Sequence, residues 1–423
     1  MSLALDARDR RVLSGKGGKA LEIAMGLVVK AAEAMAAERL IGISCAHVGS
    51  VFSSGRVGLD FAELLVSKGA RVAVPTTLNT GSLDLVHPEL RPAMGASLAH
   101  GQRLIELYAA MGCEVTLTCA PYHLARRPKA GDHVAWSESN AVVFVNSVLG
   151  ARSNKYGEFF DICAALTGRV PDAGLHRTEA RRGQLLFRLS DLPGALLEQD
   201  VFYQVLGYLI GRAAETLVPV IQGLPENATE DQLRALGAAA SSSGAVTMFH
   251  AVGLTPEAAT LDEAFQGGGA ERVVEVTPAR LAEARDALST AASGALGAVC
   301  LGTPHFSVAE FERLTRLLEG ARVHPGVRFY VSTSRHVLGQ VEARGWLPVY
   351  EKAGVRIVVD TCTYFGPILE GCSGLAMTNS AKWAYYAPGN LGMQVVFASM
   401  EECVRSAVAG EIWRDERLWS DDR

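Results

Sequence analysis

Short runs of apolar, β-branched residues alternate along this chain with amphipathic stretches, and that alternation constrains the fold more than any other feature. The runs are RLIGIS (39–44), RVAVP (71–75), EVTLT (114–118), AVVFVNS (141–147), VPVIQG (218–223), AVTMFH (245–250), RVVEVT (272–277), AVCLG (298–302), RFYVSTS (328–334), VRIVVDT (355–361) and MQVVFAS (393–399). Each is apolar without in–out alternation, as strands are when helices cover both faces of a parallel sheet. Between them, 20–38 and 95–112 read as helices. A third helix starts at Thr277, an N-cap, with Pro278 at its first position. Strand–helix–strand repetition predicts an α/β protein with mainly parallel sheets and right-handed crossovers. Such folds bind ligands beyond the carboxyl ends of their strands.

At 423 residues the chain exceeds what one core usually serves. Regions 1–160, 161–275 and 276–423 are the expected divisions. QGGGAE (266–271) reads as a flexible joint, and the long irregular stretch 76–95 as a functional loop. A net charge of −5 and a pI near 6.1 give no electrostatic case for nucleic acid or an anionic membrane. The N-terminus is charged almost at once and no apolar window reaches the ~20 residues of a membrane helix, so the expected location is the cytoplasm. The eight cysteines are spread out and are expected to be thiols there. SGKGGKA (14–20) lacks a preceding strand and the full phosphate-loop pattern, and reads as a loop before a helix.

The strand ends carry the chemistry. Cys119 follows EVTLT, Cys300 lies in AVCLG, Cys362 follows VRIVVD, and Cys372 opens CSGLAMTNSAKW. Thiols from separate strand ends suit an iron–sulfur cluster, although buried cysteine is also ordinary core and no C-x-x-C is present. Zinc is a lesser alternative, because Cys and His also bind it. Thr76, Thr77, Asn79, Ser153, Asn154, Lys155, Glu158, Ser380 and Lys382 crowd the same ends. Such residues line a pocket for a small polyfunctional acid, or serve as caps and turns. His47, His123 and His305 follow strands or prolines and are candidate acid–base groups. In AVCLGTPHFS, Gly302 and Pro304 are expected to end the strand, and Ser307 with Glu310 to form a capping box.

VPTTLNTGSLDL (74–85), TCAPYH (118–123), HVAWSESNAVVFVNSVLGARSNKYGEFFD (133–161), ALTGRVPDAGLH (165–176), LGTPHFS (301–307), VVDTC (358–362) and TNSAKWAYYAPG (378–389) together resemble the aconitase X family, in its order, from about residue 10 to 410. The resemblance implies several aconitase-like three-layer α/β domains around a central cleft and a cytoplasmic, iron–sulfur-dependent hydro-lyase. It implies a small swivel domain as well, for which this chain has no room, so a separate small subunit is the expected partner. Cys119 and Cys362 fall on the family's cluster-cysteine motifs. Its third motif is usually Gly-Cys-Pro-His, and here reads Gly302-Thr303-Pro304-His305. Cys300, Cys372 and Cys113 are then the alternatives for a third thiolate. A 2Fe–2S cluster fits this departure better than a 4Fe–4S or 3Fe–4S one.

Within the family this chain resembles the hydroxyproline branch. The implied reaction is dehydration of cis-3-hydroxy-L-proline to Δ1-pyrroline-2-carboxylate, the catabolic step for that hydroxyproline. Lys155 or Lys382 and the Thr76–Asn79 loop are expected to anchor substrate, with Thr77, Ser153 and Asn154 nearby. His305, Ser380 and Glu158 remain alternatives for acid–base work. Two rival readings stand: dehydration of mevalonate 5-phosphate or another hydroxy acid on the same scaffold, and a cluster-free, non-catalytic binding subunit.

Overall fold

The computed structural model describes residues 3–51, 55–90, 95–190, 192–415 and 419, and forms two compact units. The first comprises residues 1–83 and 93–182, the second 84–92 and 183–423. The expected α/β class with mainly parallel sheets is what the chain adopts.

In the first unit, β1 (Leu40–Gly42) pairs antiparallel with β5 (Arg169–Pro171). A three-stranded parallel sheet runs β3–β2–β4, with β2 at Ala46–Val48, β3 at Thr76–Leu78 and β4 at Ala135–Trp136. Several expected strands are absent here. RVAVP forms no ladder; the strand begins one residue later, at Thr76. EVTLT makes a single bridge through Glu114 and then turns, with Leu117 at φ 41°. AVVFVNS is a helix, Ser139–Ser147, buried almost throughout. A short continuous apolar run suits a buried helix as well as a buried strand, and here Glu138 decides it by accepting the Ala141 N–H at 2.7 Å. In SGKGGKA, Ser14–Lys16 end a π-helical segment, Val12–Lys16, kinked at Gly15, and only Gly17 and Gly18 separate it from the helix Lys19–Ala34, so the expected loop is short.

Asp161 ties this unit together. It lies in the first turn of the helix Phe160–Thr167 and accepts the Gly49 N–H, just past β2, at 2.8 Å. The side chain is buried, and desolvation raises its pKa to about 7, although the Gly49 and Ile162 N–H groups pull the other way.

The second unit contains two parallel sheets. The smaller has β6 (Leu185–Leu189), β7 (Pro219–Gln222), β8 (His250–Ala251) and β9 (Arg272–Val276) in the order β8–β7–β6–β9. The larger has β10 (Leu296–Phe306), β11 (Arg328–Thr333), β12 (Val355–Val358), β13 (Leu375–Thr378) and β14 (Val395–Phe397) in the order β12–β11–β10–β13–β14. Strand β10 is central, and all its residues are buried. Val299, Leu301 and Phe306 join Phe311, Leu314, Phe329 and Val331 in one core. The strand does not stop at Gly302, as the glycine and proline suggested. It continues to Phe306 through a cis Thr303–Pro304 bond, with its register against β11 shifting between Leu301 and Phe306. The capping box of Ser307 and Glu310 then opens the helix Val308–Leu318, as expected.

The 76–95 stretch is long because residues 84–92 belong to the second unit while the chain on either side belongs to the first. Asp84 Oδ2 accepts the Val359 N–H at 3.0 Å, and Asp360 Oδ2 accepts the Leu85 N–H at 3.1 Å. Arg335 grips Asp360 through two contacts of 2.6 Å. Residues 91–94 of that expected loop lie outside the described residues.

Two predictions follow from these contacts. Gly302 has φ +90°, and a Cβ there would lie 2.2 Å from the Ser332 carbonyl oxygen. Gly302→Ala is expected to cost at least ~3 kcal/mol and lower the thermal transition by roughly 6 °C or more; an unchanged transition contradicts the bulged course of β10. For Asp161, a folded-state pKa raised to about 7 makes the protonated form the favoured one in the fold. Its contribution is complete below the ordinary carboxylate range and is lost as pH rises towards 7, by up to ~1.4 kcal/mol per pH unit. Urea titrations from pH 4 to 7 are expected to show this downward slope in the wild type and a flatter one in Asp161→Asn. Equal slopes in the two proteins count against it.

Candidate active site at the carboxyl ends of the large sheet

The site is built on three neighbouring strands of the second unit. Thr303 and His305 come from the end of β10, Ser332 from β11, and Thr361 and Cys362 from the segment after β12. All five are essentially excluded from solvent. His305 Nε2 lies 3.1 Å from the Thr361 carbonyl oxygen. A carbonyl only accepts, so this nitrogen carries the proton and Nδ1 the lone pair; the hydrogen-bond network assigns that tautomer. A ring nitrogen of His305 and Cys362 Sγ lie within 4.8 Å of one another. That span suits two ligands of one small metal centre, since Zn–N and Zn–S bonds are about 2.0–2.3 Å long and iron ligands are of similar reach.

Three hydroxyl oxygens at these strand ends are buried without a hydrogen-bond partner: Thr303 Oγ1, Ser332 Oγ and Thr361 Oγ1. Buried hydroxyls are nearly always satisfied, and leaving one unpaired costs on the order of 1–3 kcal/mol. Three on adjacent strands mark a place built to receive a polar group. The donor set on the same segments, an imidazole and a thiol, fits an iron–sulfur or related metal centre.

The other sequence candidates fall as follows. Cys300 is fully buried, its thiol bonds to Thr363, and burial pushes it up to about 12. Cys372 is half-buried and faces Arg328 and the Ser373 carbonyl. Cys113 belongs to the first unit, and burial beside Asp161 pushes its thiol up to about 12. Ser380 caps the helix Ala381–Leu391, accepting the Trp383 N–H and donating to the Thr303 carbonyl. Lys382 is buried in the first turn of that helix.

In the first unit, Cys119 is buried, with its carbonyl held by Asn140 Nδ2 at 2.9 Å. His47 bonds through Nε2 to the Thr118 carbonyl at 3.0 Å and through Nδ1 to Thr77 Oγ1 at 2.8 Å. Burial lowers its pKa to about 4, so the ring is neutral. Thr76 donates to the Val74 carbonyl, and Asn79 Oδ1 accepts the Thr80 N–H. Ser153 Oγ accepts the Trp136 N–H at 3.1 Å and donates to the Asn154 carbonyl, while Asn154 holds Leu175 N and the Ala173 carbonyl. Lys155 is exposed, and Glu158 is half-buried beside Asp161. Thr76, Asn79, Ser153 and Asn154 thus each hydrogen-bond to main chain.

Sequence reasoning missed Asp161 and Arg234. Arg234 is buried, donates to the His305 carbonyl at 2.7 Å and pairs with Glu310 at 2.5 Å. Its position in the run EDQLRALGAAASSS, on an otherwise ordinary helix, carried no visible sign of that role.

Comparison with known proteins gives the chain's family. Family models described as the aconitase X first, second and third domains match residues 2–179, 183–286 and 296–409. A protein of Pseudomonas aeruginosa named cis-3-hydroxy-L-proline dehydratase is 43% identical over 96% of this chain and 70% of its own length. One of the same name from Hypocrea jecorina is 37% identical over 97% of this chain and 69% of its own. A phosphomevalonate dehydratase large subunit from Methanothermobacter thermautotrophicus is 36% identical over 95% of this chain and 98% of its own. The crystal structure of Thermococcus kodakaraensis aconitase X in its holo-form superposes with a TM-score of 0.85 at 30% identity, covering 96% of this chain and all of that one. The fold, the three domain matches and these relatives make this chain a member of the aconitase X family.

Proposed function

We propose that this chain is the catalytic part of a hydro-lyase that dehydrates cis-3-hydroxy-L-proline, with an iron–sulfur cluster of the 2Fe–2S type and a small subunit as partner. The observation that carries the reading is the buried His305–Cys362 pair among unpartnered hydroxyls, in a chain 43% identical to a protein named for that activity. Cys119 and Cys362 are the thiolate ligands that the motifs suggest. The archaeal relatives' name, large subunit, supports a small-subunit partner.

Dehydration removes the Cα proton and the C3 hydroxyl as water, leaving an enamine that tautomerises to Δ1-pyrroline-2-carboxylate. A bound cluster supplies Lewis acidity for the departing hydroxide, a poor leaving group on its own. The chain's residues do the rest. Lys382, buried in the first turn of a helix whose N-terminus favours anions, holds the substrate carboxylate. Glu158 moves the proton at Cα. Its neighbour Asp161 is buried, and desolvation pushes that carboxyl up to about 7. Ser380, hydrogen-bonded to the Thr303 carbonyl, positions the end of β10.

The phosphomevalonate reading needs a cluster of cations for a phosphate dianion. In the second unit Arg234, Arg313 and Arg335 are each already held by carboxylates, which favours the smaller substrate with one anionic group. Anaerobically purified protein is expected to be brown, with near-stoichiometric iron and sulfide, and with its small subunit to turn over cis-3-hydroxy-L-proline but not mevalonate 5-phosphate. The reverse preference contradicts the substrate assignment, and colourless, metal-free folded protein contradicts the cofactor. Glu158→Gln is expected to lower kcat at least ~100-fold with iron content unchanged; wild-type kcat in that variant removes Glu158 from the proton transfer.

A further inference from the structure

The two units share a local arrangement. In each, a threonine immediately before a cysteine offers its carbonyl to the Nε2–H of a buried histidine: His47 to Thr118, before Cys119, at 3.0 Å, and His305 to Thr361, before Cys362, at 3.1 Å. Both rings therefore carry their proton on Nε2 and their lone pair on Nδ1. The arrangements then differ. In the first unit Nδ1 faces the hydroxyl of Thr77 at 2.8 Å, so the lone pair accepts an O–H and the ring is a brace. In the second a ring nitrogen of His305 and Cys362 Sγ lie within 4.8 Å of one another, and the hydroxyls of Thr303 and Thr361, close to them in sequence, are buried and unpartnered.

A histidine that ligates a metal through one nitrogen ordinarily donates its other N–H to a backbone carbonyl or carboxylate, which fixes tautomer and ring plane. The Thr361 carbonyl does this for His305. The main chain is fixed too. Arg234, itself buried against Glu310, donates to the His305 carbonyl at 2.7 Å, and Ser307 caps the helix that follows. Rigid backbone, locked tautomer and an adjacent thiol are what a preformed ligand needs.

We propose that His305 Nδ1 is an iron ligand, completing with an imidazole the set for which position 303 offers only a hydroxyl. The assignment rests on the iron–sulfur reading above. It replaces Cys300 and Cys372 as sources of the third ligand, and it takes His305 out of proton transfer. An imidazole in place of a thiolate removes one negative charge from the centre, which raises its reduction potential, as in other clusters with mixed histidine and cysteine ligation. The hydroxyls of Thr303 and Thr361 serve as hydrogen-bond donors to the bound group.

The test is pulsed electron paramagnetic resonance of the reduced holoenzyme, prepared anaerobically with its small subunit, with natural-abundance and 15N-histidine-labelled protein compared. A strong nitrogen coupling that changes with the label is expected in the wild type. It is expected to vanish in His305→Cys, whose cluster is retained at a lower potential, and to persist in His47→Gln. A cluster with no histidine coupling overturns the proposal. So does a coupling unchanged in His305→Cys, or one lost in His47→Gln with the cluster intact. Wild-type protein holding neither iron nor sulfide instead refutes the cofactor reading on which the proposal stands. Because the decisive spectrum is that of the wild type, a variant that fails to fold does not spoil the test.

Discussion

The hydrogen bond from His305 Nε2 to the Thr361 carbonyl is the contact on which the second unit's site depends. It joins the end of β10 to the segment after β12 across the intervening strand, setting the ring against Cys362. It exists only because β10 runs on past Gly302 to Phe306 instead of turning away. Gly302 itself permits that course, since no side chain fits between its backbone and Ser332. The capping box at Ser307 and the buried Arg234 then hold the strand end in place.

Burial gives this arrangement its chemical meaning. An unpaired hydroxyl in a dry interior is costly, and three of them at adjacent strand ends are tolerated where a bound group repays the cost. The same dryness keeps thiols protonated when no metal is there to claim them, as the raised value for Cys300 illustrates. In the first unit burial acts on Asp161, pushing its carboxyl up to about 7. Desolvation thus sets the ionisation of the groups that matter in each unit.

Much of this was readable from the chain. Continuous apolar runs located β7, β10, β11, β12 and β14 and the parallel class of their sheets, because buried strands leave that pattern, and a run also marked β9 although that edge strand is largely exposed. Ser307 with Glu310 and Thr277 with Pro278 marked helix starts correctly, since capping is local chemistry. The pattern misled at AVVFVNS, where apolarity told of burial but not of helix or strand. It missed β6 and β13, which the runs did not single out. At the site, Cys362 and His305 were visible as reactive types after strands. The carbonyl that sets the histidine tautomer, the unpartnered hydroxyls and the Arg234 contact come from residues distant in sequence, and nothing local announces them. The side chains of Ser153 and Asn154 hold the Trp136 and Leu175 N–H groups, 17 and 21 residues away, contacts that no local pattern announces.

The central claim is that the dry pair at the end of β10 and after β12 holds iron. The most direct measurement is a crystal structure of the anaerobic holoenzyme with anomalous data collected on both sides of the iron K-edge. The account predicts an iron peak bonded to Cys362 Sγ and His305 Nδ1 at about 2.0–2.3 Å, bond lengths of the kind metal–nitrogen and metal–sulfur ligands show. An iron peak at Cys300 or Cys372 instead, or none near Cys362, would contradict it.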